Sequence, residues 1–290
     1  RSYLPKLLET GWQVRAMTRS DPSSAGFGGI RGVDYRNWDG IQFNPTTVSG
    51  MQAVVHLAGE PIFGGLATAA RCERIRASRI ASTQSLVDAI RELSPELRPK
   101  TLVCASAVGI YGERGEEELS EASVPGQGFL ARLCQEWEAV AELARDFGTH
   151  VIRMRFGVIL SREGGALAMM RKPFDFGVGG RLGNGRQTVP WVHIDDVLGT
   201  LDYALDGRLD GPVNVVAPNP VTNGQLTTAI AKRLGKAERI PVPAFVLRSI
   251  FADMAEELIG SKRVSPSALS RAHYRFIHPE IDSALDSALS

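Results

Sequence analysis

The spacing of apolar residues along the chain alternates between the period of a helix and the short runs of buried strands. Residues 2–8 carry apolar side chains at helical spacing, and Gly11 follows as the stop. Residues 12–17 then alternate between apolar and polar side chains, as a strand does. The same criteria predict further strands at residues 33–35, 53–58, 101–105, 151–155 and 213–216, and further helices at residues 78–93, 129–147, 196–205, 223–234 and 244–259.

Buried strands that alternate with helices are typical of an α/β fold of the Rossmann type, in which a doubly wound parallel sheet has helices on both faces. We therefore predict that residues 1–160 form a Rossmann domain. Beyond residue 160 the pattern loosens, and the glycine-rich residues 164–185 are predicted to be loops. Residues 161–290 are predicted to form a smaller, mixed C-terminal substrate-side lobe, with segments that return to the sheet.

The chain begins with Arg1 and enters a predicted helix at once. A Rossmann domain has a first strand and a glycine-rich turn ahead of its first helix, and that turn lets a pyrophosphate approach the helix N-terminus. No such turn precedes residues 2–8. The Rossmann domain is therefore expected to lack its first strand and its phosphate-binding turn.

Composition narrows the choice of partners. Lys and Arg number 33 and Asp and Glu 32, so the formal net charge of +1 argues against nucleic-acid binding. No apolar run reaches the roughly 18 residues of a membrane helix, and no signal peptide is evident. Cys72, Cys104 and Cys134 fit neither a disulfide framework nor a zinc site. We predict a cytoplasmic protein with a small-molecule substrate and neither metal, membrane nor nucleic acid as partner.

Arg19 follows the strand of residues 12–17, in the sequence Thr18-Arg19-Ser20. In a dinucleotide fold the second strand ends beside the adenine ribose, where an acidic residue binds the 2′-hydroxyl of NAD and an arginine accommodates the 2′-phosphate of NADP. The arginine favours NADP(H) over NAD(H) as the cofactor. The competing interpretation is an ordinary surface arginine.

Two strand ends carry further candidate residues. Leu57, Ala58, Gly59 and Glu60 follow the strand that begins at residue 53, and small residues there let backbone approach a cofactor ribose. Ser106 ends the next strand, at the carboxyl edge where doubly wound sheets bind ligands. It is the candidate catalytic residue, placed to hydrogen-bond a substrate or the nicotinamide ribose. In the alternative interpretations, Gly59 is an ordinary loop glycine and Ser106 caps a helix.

Several stretches together resemble extended and atypical members of the short-chain dehydrogenase/reductase superfamily. More narrowly, the chain is similar to "epimerase family" proteins, which are also labelled NAD-dependent epimerases or SulA-like cell-division inhibitors. The matching stretches are residues 56–60, 78–79, 106–112, 128–130, 134–138, 164–168, 191–196, 213–214 and 220–223. They cover nearly the whole chain.

The resemblance implies positions for a bound cofactor. Residues Thr18 and Arg19 would hold the adenine-side phosphate, Leu57 and Ala58 would line the cofactor, Arg79 would face it, and Val158 would lie near its nicotinamide.

The helix of residues 129–147 departs from the superfamily pattern. Typical members place a Tyr-x-x-x-Lys pair here, with the tyrosine as general acid/base and the lysine lowering its pKa. Aligned on Glu138, the tyrosine position holds Leu130 and the lysine position holds Cys134. The usual serine or threonine is Ala107, one residue after Ser106. Neither Leu130 nor Cys134 can carry out that proton chemistry.

Three functions remain open on these residues. The main hypothesis is an NADP(H)-dependent oxidoreductase or epimerase-like protein that acts on a small carbonyl or sugar-like substrate. The second is a non-catalytic NADP-binding regulator or scaffold, which the missing Tyr/Lys pair favours and which the family label connects with cell division. The third is a nucleotide-sugar epimerase, which would need Tyr111 or His193 as its acid/base. The glycine-rich residues 179–186, with two arginines, suit either phosphate or carboxylate recognition or a solvated loop.

Overall fold

The computed structural model describes residues 2–19, 29–63 and 65–289. Residues 21–32 are rich in glycine, serine and proline, which predicts a loop, and residues 21–28 lie outside the described residues. The strands are, in chain order, β1 (Val14–Thr18), β2 (Val33–Asn37), β3 (Ala53–His56), β4 (Thr101–Ala107), β5 (Glu118–Leu119), β6 (His150–Phe156), β7 (Val158–Leu160), β8 (Thr188–Val189), β9 (Trp191–His193), β10 (Gly211–Val215), β11 (Val221–Thr222) and β12 (Arg263–Val264).

The main sheet is parallel and has the order β10-β6-β4-β3. Its register pairs Ala53 with Thr101, Thr101 with His150, and Gly211 with Ile152. Parallel pairing aligns the carboxyl ends of β3, β4 and β6 at one edge, where open α/β sheets bind ligands. The strand β10 comes from the predicted C-terminal lobe and completes the opposite side of this sheet.

A second parallel pair, β1 and β2, lies beside the main sheet. A cavity of about 450 Å³ separates β1 from β3 and is lined by residues of both strands. The remaining short strands form the pairs β7-β9, β8-β11 and β5-β12.

Helices cover both faces of the main sheet. They are α1 (Tyr3–Glu9), α2 (Pro45–Val48), α3 (Ala69–Glu92), α4 (Phe129–Glu142), α5 (Ala166–Asp175), α6 (Ile194–Leu205), α7 (Asn223–Leu234), α8 (Ala244–Phe251), α9 (Glu256–Ile259), α10 (Ser267–Arg271) and α11 (Ile281–Leu289). Within the described part of the chain, none of them has the length and apolar character that crossing a membrane would require.

Alternating side chains of β4 explain why both faces are covered. Leu102 and Cys104 are buried with α3 and α4, whereas Val103 is buried with the α6 residues Val197 and Leu201. Successive residues of a strand point to opposite faces, so a strand that is apolar throughout needs a helix on each side. The predicted doubly wound α/β fold is confirmed.

Some element boundaries differ from the prediction. The helix predicted at residues 244–259 is broken at Ala252, which follows α8, has a φ of +45° and begins a short 3₁₀ helix, Ala252–Ala255. The predicted loop at 164–185 contains α5. The helix predicted at residues 196–205 begins two residues earlier, at Ile194, and His193 caps it by accepting a hydrogen bond from the Asp195 N–H at 3.2 Å.

Candidate functional site

A cavity of about 370 Å³ opens at the carboxyl ends of β3 and β4. Leu57, Ala58 and Gly59 line it from the β3 side, and Ser106 and Ala107 line it from the end of β4. Leu57 is 47% exposed, so part of this large apolar side chain is open to the cavity. The structure thus brings together four predicted site residues, namely the three that follow β3 and Ser106.

Arg79 reaches the same cavity from α3. Its Nη1 donates to the carbonyl oxygens of Glu60 at 2.9 Å and Ile75 at 3.2 Å. The guanidinium carbon lies 5.3 Å from the centre of the Trp137 ring, a cation–π distance. A Cβ on Gly59 would lie 3.0 Å from that guanidinium carbon, so any larger residue here would press on the guanidinium and require it to shift. Burial lowers the pKa of Arg79.

Glu60 fixes the turn after β3 through its backbone. Its N–H donates to the Ser78 hydroxyl at 2.9 Å, and its carbonyl accepts from Arg79. Its carboxylate lies 3.6 Å from the Arg74 guanidinium and is not part of the cavity lining. The contribution of Glu60 is therefore to hold Arg79 and the turn in place.

The Ser106 hydroxyl donates a hydrogen bond to Glu138 Oε1 at 2.6 Å. Glu138 in turn forms a two-pronged ion pair with Arg155, with N–O distances of 2.7 and 2.8 Å. All three side chains are buried. Because the Ser106 proton is engaged by a carboxylate, the serine offers an arriving ligand its oxygen lone pairs rather than its proton.

Leu130 and Cys134, the residues at the superfamily tyrosine and lysine positions, both line the cavity, as does Ala107. The departure from the Tyr/Lys pattern therefore lies within the candidate site. Burial raises the pKa of the Cys134 thiol to about 12, with the charges of Glu138 and Glu257 adding to the effect. A thiol with this pKa remains protonated at neutral pH and is a poor nucleophile.

Labelling with iodoacetamide at pH 8 should distinguish the three cysteines. Burial raises the pKa of Cys104 and Cys134 to about 12, whereas Cys72 is only half-buried. We expect Cys72 to be alkylated within minutes and the other two only after denaturation. Peptide mass spectrometry measures the extent of alkylation at each cysteine, and alkylation of native Cys134 at the rate of Cys72 would contradict the burial of Cys134.

The two alternative acid/base candidates do not line the cavity. Tyr111 is fully buried; its hydroxyl donates to Asn214 Oδ1 at 2.7 Å and accepts from Arg155 at 2.8 Å. Burial raises the pKa of Tyr111. His193 is 2% exposed and caps α6. The tyrosine is therefore part of the buried Glu138–Arg155 network, and the histidine has a structural role.

Thr18 and Arg19 lie at the carboxyl end of β1. Thr18 is buried and lines the cavity between β1 and β3, and Arg19 is exposed. A Cβ on Gly40 would lie 2.9 Å from Arg19 Cδ, so the arginine stem passes over this glycine. Leu57 and Ala58 line both this cavity and the one at Ser106. The two cavities therefore meet at the turn after β3.

Val158 is not brought to either cavity. Its side chain packs with the core around Trp191 and Leu160, and the next residue, Ile159, lines the Ser106 cavity instead. Val158 and Ile159 both belong to β7, in which successive side chains point to opposite faces. The strand that contains Val158 therefore reaches the cavity, but it does so through Ile159.

The glycine-rich residues 179–186 also lie away from both cavities. Leu182 forms a β-bridge with Val242, and its N–H donates to Asn223 Oδ1 at 2.8 Å. A Cβ on Gly180 would lie 2.2 Å from the carbonyl oxygen of Ile240, so glycine permits this close packing of backbone. The segment therefore packs between the start of α7 and the residues that precede α8.

Tertiary contacts also create a cluster that the sequence does not reveal. His193, Asp195 and His278 have potential ligand atoms within 4.8 Å of one another. His278 Nε2 lies 3.3 Å from Asp195 Oδ2, and the two imidazole rings are 4.0 Å apart. The Nδ1 lone pair of His193 already accepts the Asp195 N–H, and the cluster lies at the positive end of α6. Both features favour a hydrogen-bonded cap over a cation site.

Glu257 is a second cavity residue that the sequence pattern did not indicate. It lines the Ser106 cavity from α9, and its carboxylate lies 3.2 Å from the buried Lys262 ammonium. Among the described residues that line this cavity, Arg79 and Glu257 are the charged ones. No local signal marks Glu257, because it lies more than 100 residues from the cavity's strand ends and is brought there by the fold.

Comparison with known proteins places the chain among characterised families and folds. Residues 1–217 match the NAD dependent epimerase/dehydratase family, and residues 242–288 match a domain of unknown function, DUF1731. An epimerase family protein of Mycobacterium bovis is 37% identical over 249 residues, which cover 85% of this chain and 81% of that protein.

Solved structures share the fold. The human epimerase family protein SDR39U1, crystallised with NADPH, is 30% identical and superposes with a TM-score of 0.86 over 99% of this chain and 94% of that one. A UDP-glucuronic acid 4-epimerase of Bacillus cereus in complex with UDP-glucuronic acid and NAD has a TM-score of 0.80, covering 99% and 93% of the two chains, but is 15% identical and so shows the fold alone. From its sequence match and its fold, the chain belongs to the NAD dependent epimerase/dehydratase family.

Proposed function

We propose that the protein is an NADP(H)-dependent oxidoreductase that reduces a small carbonyl compound, or oxidises the corresponding alcohol. One observation carries the proposal: the Ser106 cavity meets the β1 cavity at Leu57 and Ala58. A dinucleotide bound across this junction would have its nicotinamide near Ser106 and its adenosine near Thr18 and Arg19. The human relative crystallised with NADPH supports this choice of cofactor.

The residues present fit such a cofactor. Gly59 lets the Arg79 guanidinium lie close to the turn after β3, and this guanidinium can attract the negatively charged part of a dinucleotide. The half-exposed Leu57 offers an apolar surface to a ring. The bound cofactor would supply the hydride, and the chain would hold the ring against the end of β4 and exclude water with the apolar side chains of α4 and α6.

Replacing Arg19 tests the choice of cofactor. We expect the protein to bind NADPH more tightly than NADH, and Arg19→Ala to reduce that preference by roughly 10-fold or more, because an arginine–phosphate contact is a charge-assisted bond. Trp137 lines the Ser106 cavity, so quenching of its fluorescence measures both affinities.

Arg91→Ala is the matched control, since Arg91 is an exposed arginine that pairs with Asp88 near the end of α3, away from both cavities. It should leave both affinities unchanged. Equal affinities of the unmodified protein for NADPH and NADH would contradict the role of Arg19.

A non-catalytic NADP-binding regulator is the second candidate. It is favoured by Leu130 and Cys134, which give the cavity apolar or protonated groups where the superfamily has its proton-transferring pair. Turnover of NADPH with a carbonyl substrate distinguishes the two candidates, because the regulator would bind the cofactor without consuming it. The nucleotide-sugar epimerase has less support, since neither Tyr111 nor His193 lines the cavity.

A further inference from the structure

The Ser106 cavity contains a carboxylate on the side where the superfamily tyrosine is replaced by Leu130. A Cβ on Gly109 would lie 3.2 Å from Glu257 Oε2 and 3.6 Å from Leu130 Cβ. The Glu257 carboxylate and the Leu130 side chain therefore meet at Gly109. Both line the cavity, together with Ser106 and Ala107 from the end of β4.

We propose that Glu257 is the proton-transferring residue of this cavity, in place of the missing tyrosine, and that its substrate is a small uncharged carbonyl compound or alcohol. The proposal rests on the oxidoreductase function proposed above. It assigns a catalytic residue to the C-terminal segment, residues 242–288, which matches a domain of unknown function.

The packing around α9 holds Glu257 at the cavity. The helical path is interrupted at Ala252, and the short 3₁₀ helix Ala252–Ala255 buries Met254 against Ile75, Leu130 and Leu133. Met254 is 1% exposed, so this segment is anchored on the cavity face of α4. Because Glu257 follows Met254 by three residues, about one helical turn, it lies near the same face.

Lys262 gives the carboxylate a fixed counter-charge. Its ammonium lies 3.2 Å from Glu257 Oε2, and the lysine is 3% exposed. Ser261, next to it, donates its N–H to Glu113, which follows the 3₁₀ helix Val108–Tyr111. Apart from Lys262, no hydrogen-bond donor to the Glu257 carboxylate is found over residues 2–19, 29–63 and 65–289, so the carboxylate can still accept from a substrate hydroxyl in the cavity.

The proposed reaction combines a proton transfer at Glu257 with a hydride transfer to or from NADP(H). In alcohol oxidation, the substrate O–H proton passes to the Glu257 carboxylate, the C–H hydride passes to NADP⁺, and the C–O bond becomes a carbonyl. In reduction the hydride of NADPH forms the new C–H bond, and protonated Glu257 gives its proton to the carbonyl oxygen. Lys262 stabilises the carboxylate that remains after reduction.

The substrate class follows from the walls of the cavity. Apart from Arg79 and Glu257, its described lining is apolar or uncharged and includes Ile62, Phe156 and Ile159. A charged substrate would lose its hydration there with few partners, and an anionic one would meet the Glu257 carboxylate. The volume of about 370 Å³ has also to hold the nicotinamide, so the substrate is small.

Turnover provides the first test. NADPH oxidation is measured with a panel of uncharged aldehydes, ketones and α-dicarbonyl compounds. With any substrate that the unmodified protein reduces, Glu257→Gln should lower kcat by roughly 100-fold or more and change KM by less than about threefold, as expected for loss of a general acid. Glu257→Asp, which keeps a carboxylate, should recover part of kcat.

Glu256→Gln is the matched control. Glu256 is adjacent in the chain, but its carboxylate is exposed and pairs with Arg248. It should leave kcat unchanged. A Glu257→Gln variant that turns over as fast as Glu256→Gln would overturn the proposal.

Cofactor affinity provides a test that needs no substrate. A carboxylate near the nicotinamide favours the positively charged ring of NADP⁺ over the neutral ring of NADPH. Glu257→Gln should therefore lower the affinity ratio of NADP⁺ to NADPH by roughly threefold or more. Lys262→Gln should raise that ratio, and Glu256→Gln should not change it.

The outcomes separate the two proposals. If the unmodified protein binds neither nucleotide, or binds NADPH but reduces no member of the panel, the oxidoreductase function is overturned and the role of Glu257 with it. If the unmodified protein binds and reduces while Glu257→Gln keeps its kcat and its affinity ratio, only the role of Glu257 is overturned. Thermal unfolding of each variant checks that it is folded.

Discussion

Replacing Arg155 by methionine should lower the free energy of unfolding by about 3–5 kcal/mol, because the change leaves a buried carboxylate without its ion-pair partner. Arg155 and Glu138 are 6% and 4% exposed and form two N–O contacts of 2.7 and 2.8 Å. The next nearest cation, Arg153, lies 3.6 Å from Glu138 and replaces the lost partner only in part. Denaturant unfolding followed by circular dichroism measures the loss.

Two further variants show whether the loss comes from burial. Arg76→Met removes an exposed ion pair with Glu136, also on α4, and should cost less than about 1 kcal/mol. Replacing Arg155 and Glu138 together by methionine removes both charges and should recover much of the stability lost in the single variant. A single Arg155 variant as stable as the Arg76 variant would show that the Glu138 carboxylate is not buried.

Acid should destabilise the protein through His56 by about 3 kcal/mol between pH 6.5 and pH 4. Burial lowers the pKa of His56 to about 4 from its ordinary value near 6.5. The folded protein keeps the ring neutral in this range, whereas the unfolded chain takes up a proton. The contribution to stability is therefore complete above pH 6.5 and is lost as the pH falls towards 4.

The surroundings of His56 explain why it stays neutral. The ring makes edge-on contacts with Trp38 and Phe43, at centroid distances of 6.5 and 5.7 Å. Its Nε2 lies 3.2 Å from the hydroxyl of Ser82, which itself donates to the Ser78 carbonyl at 2.8 Å. The serine proton is thus engaged, so His56 donates to the serine from Nε2. Among the described residues, no carboxylate pairs with the ring to stabilise its charged form.

Comparing unfolding free energies at several pH values tests this titration. His56→Gln keeps a side-chain donor but does not titrate. Between pH 6.5 and pH 4 the unfolding free energy of the unmodified protein should therefore fall by about 3 kcal/mol more than that of the variant. His150→Gln is the control, because His150 is partly exposed beside Asp210. Parallel stability curves for the unmodified protein and the His56 variant would rule out a lowered pKa.

Much of the candidate site could be predicted because it follows local rules. Gly59 and Ser106 were identified as the ends of buried strands, and parallel pairing brings strand ends to one edge. Arg79 and Ile159 show the limits of this reasoning. Arg79 came from resemblance alone, and Ile159 was missed by one residue because the neighbouring Val158 points to the opposite face of β7.

The sequence by itself determined the doubly wound fold, since apolar periodicity is a local property that each strand and helix carries with it. The sequence also showed, on alignment with the superfamily pattern, that Leu130 and Cys134 stand at the tyrosine and lysine positions, because both share one helix with Glu138. Only the tertiary structure decided that the Ser106 proton is held by Glu138, that Tyr111 is enclosed beside Arg155, and that Glu257 reaches the cavity. The physical reason is that these contacts join side chains 32 to more than 100 residues apart, whose distance depends on how whole elements pack.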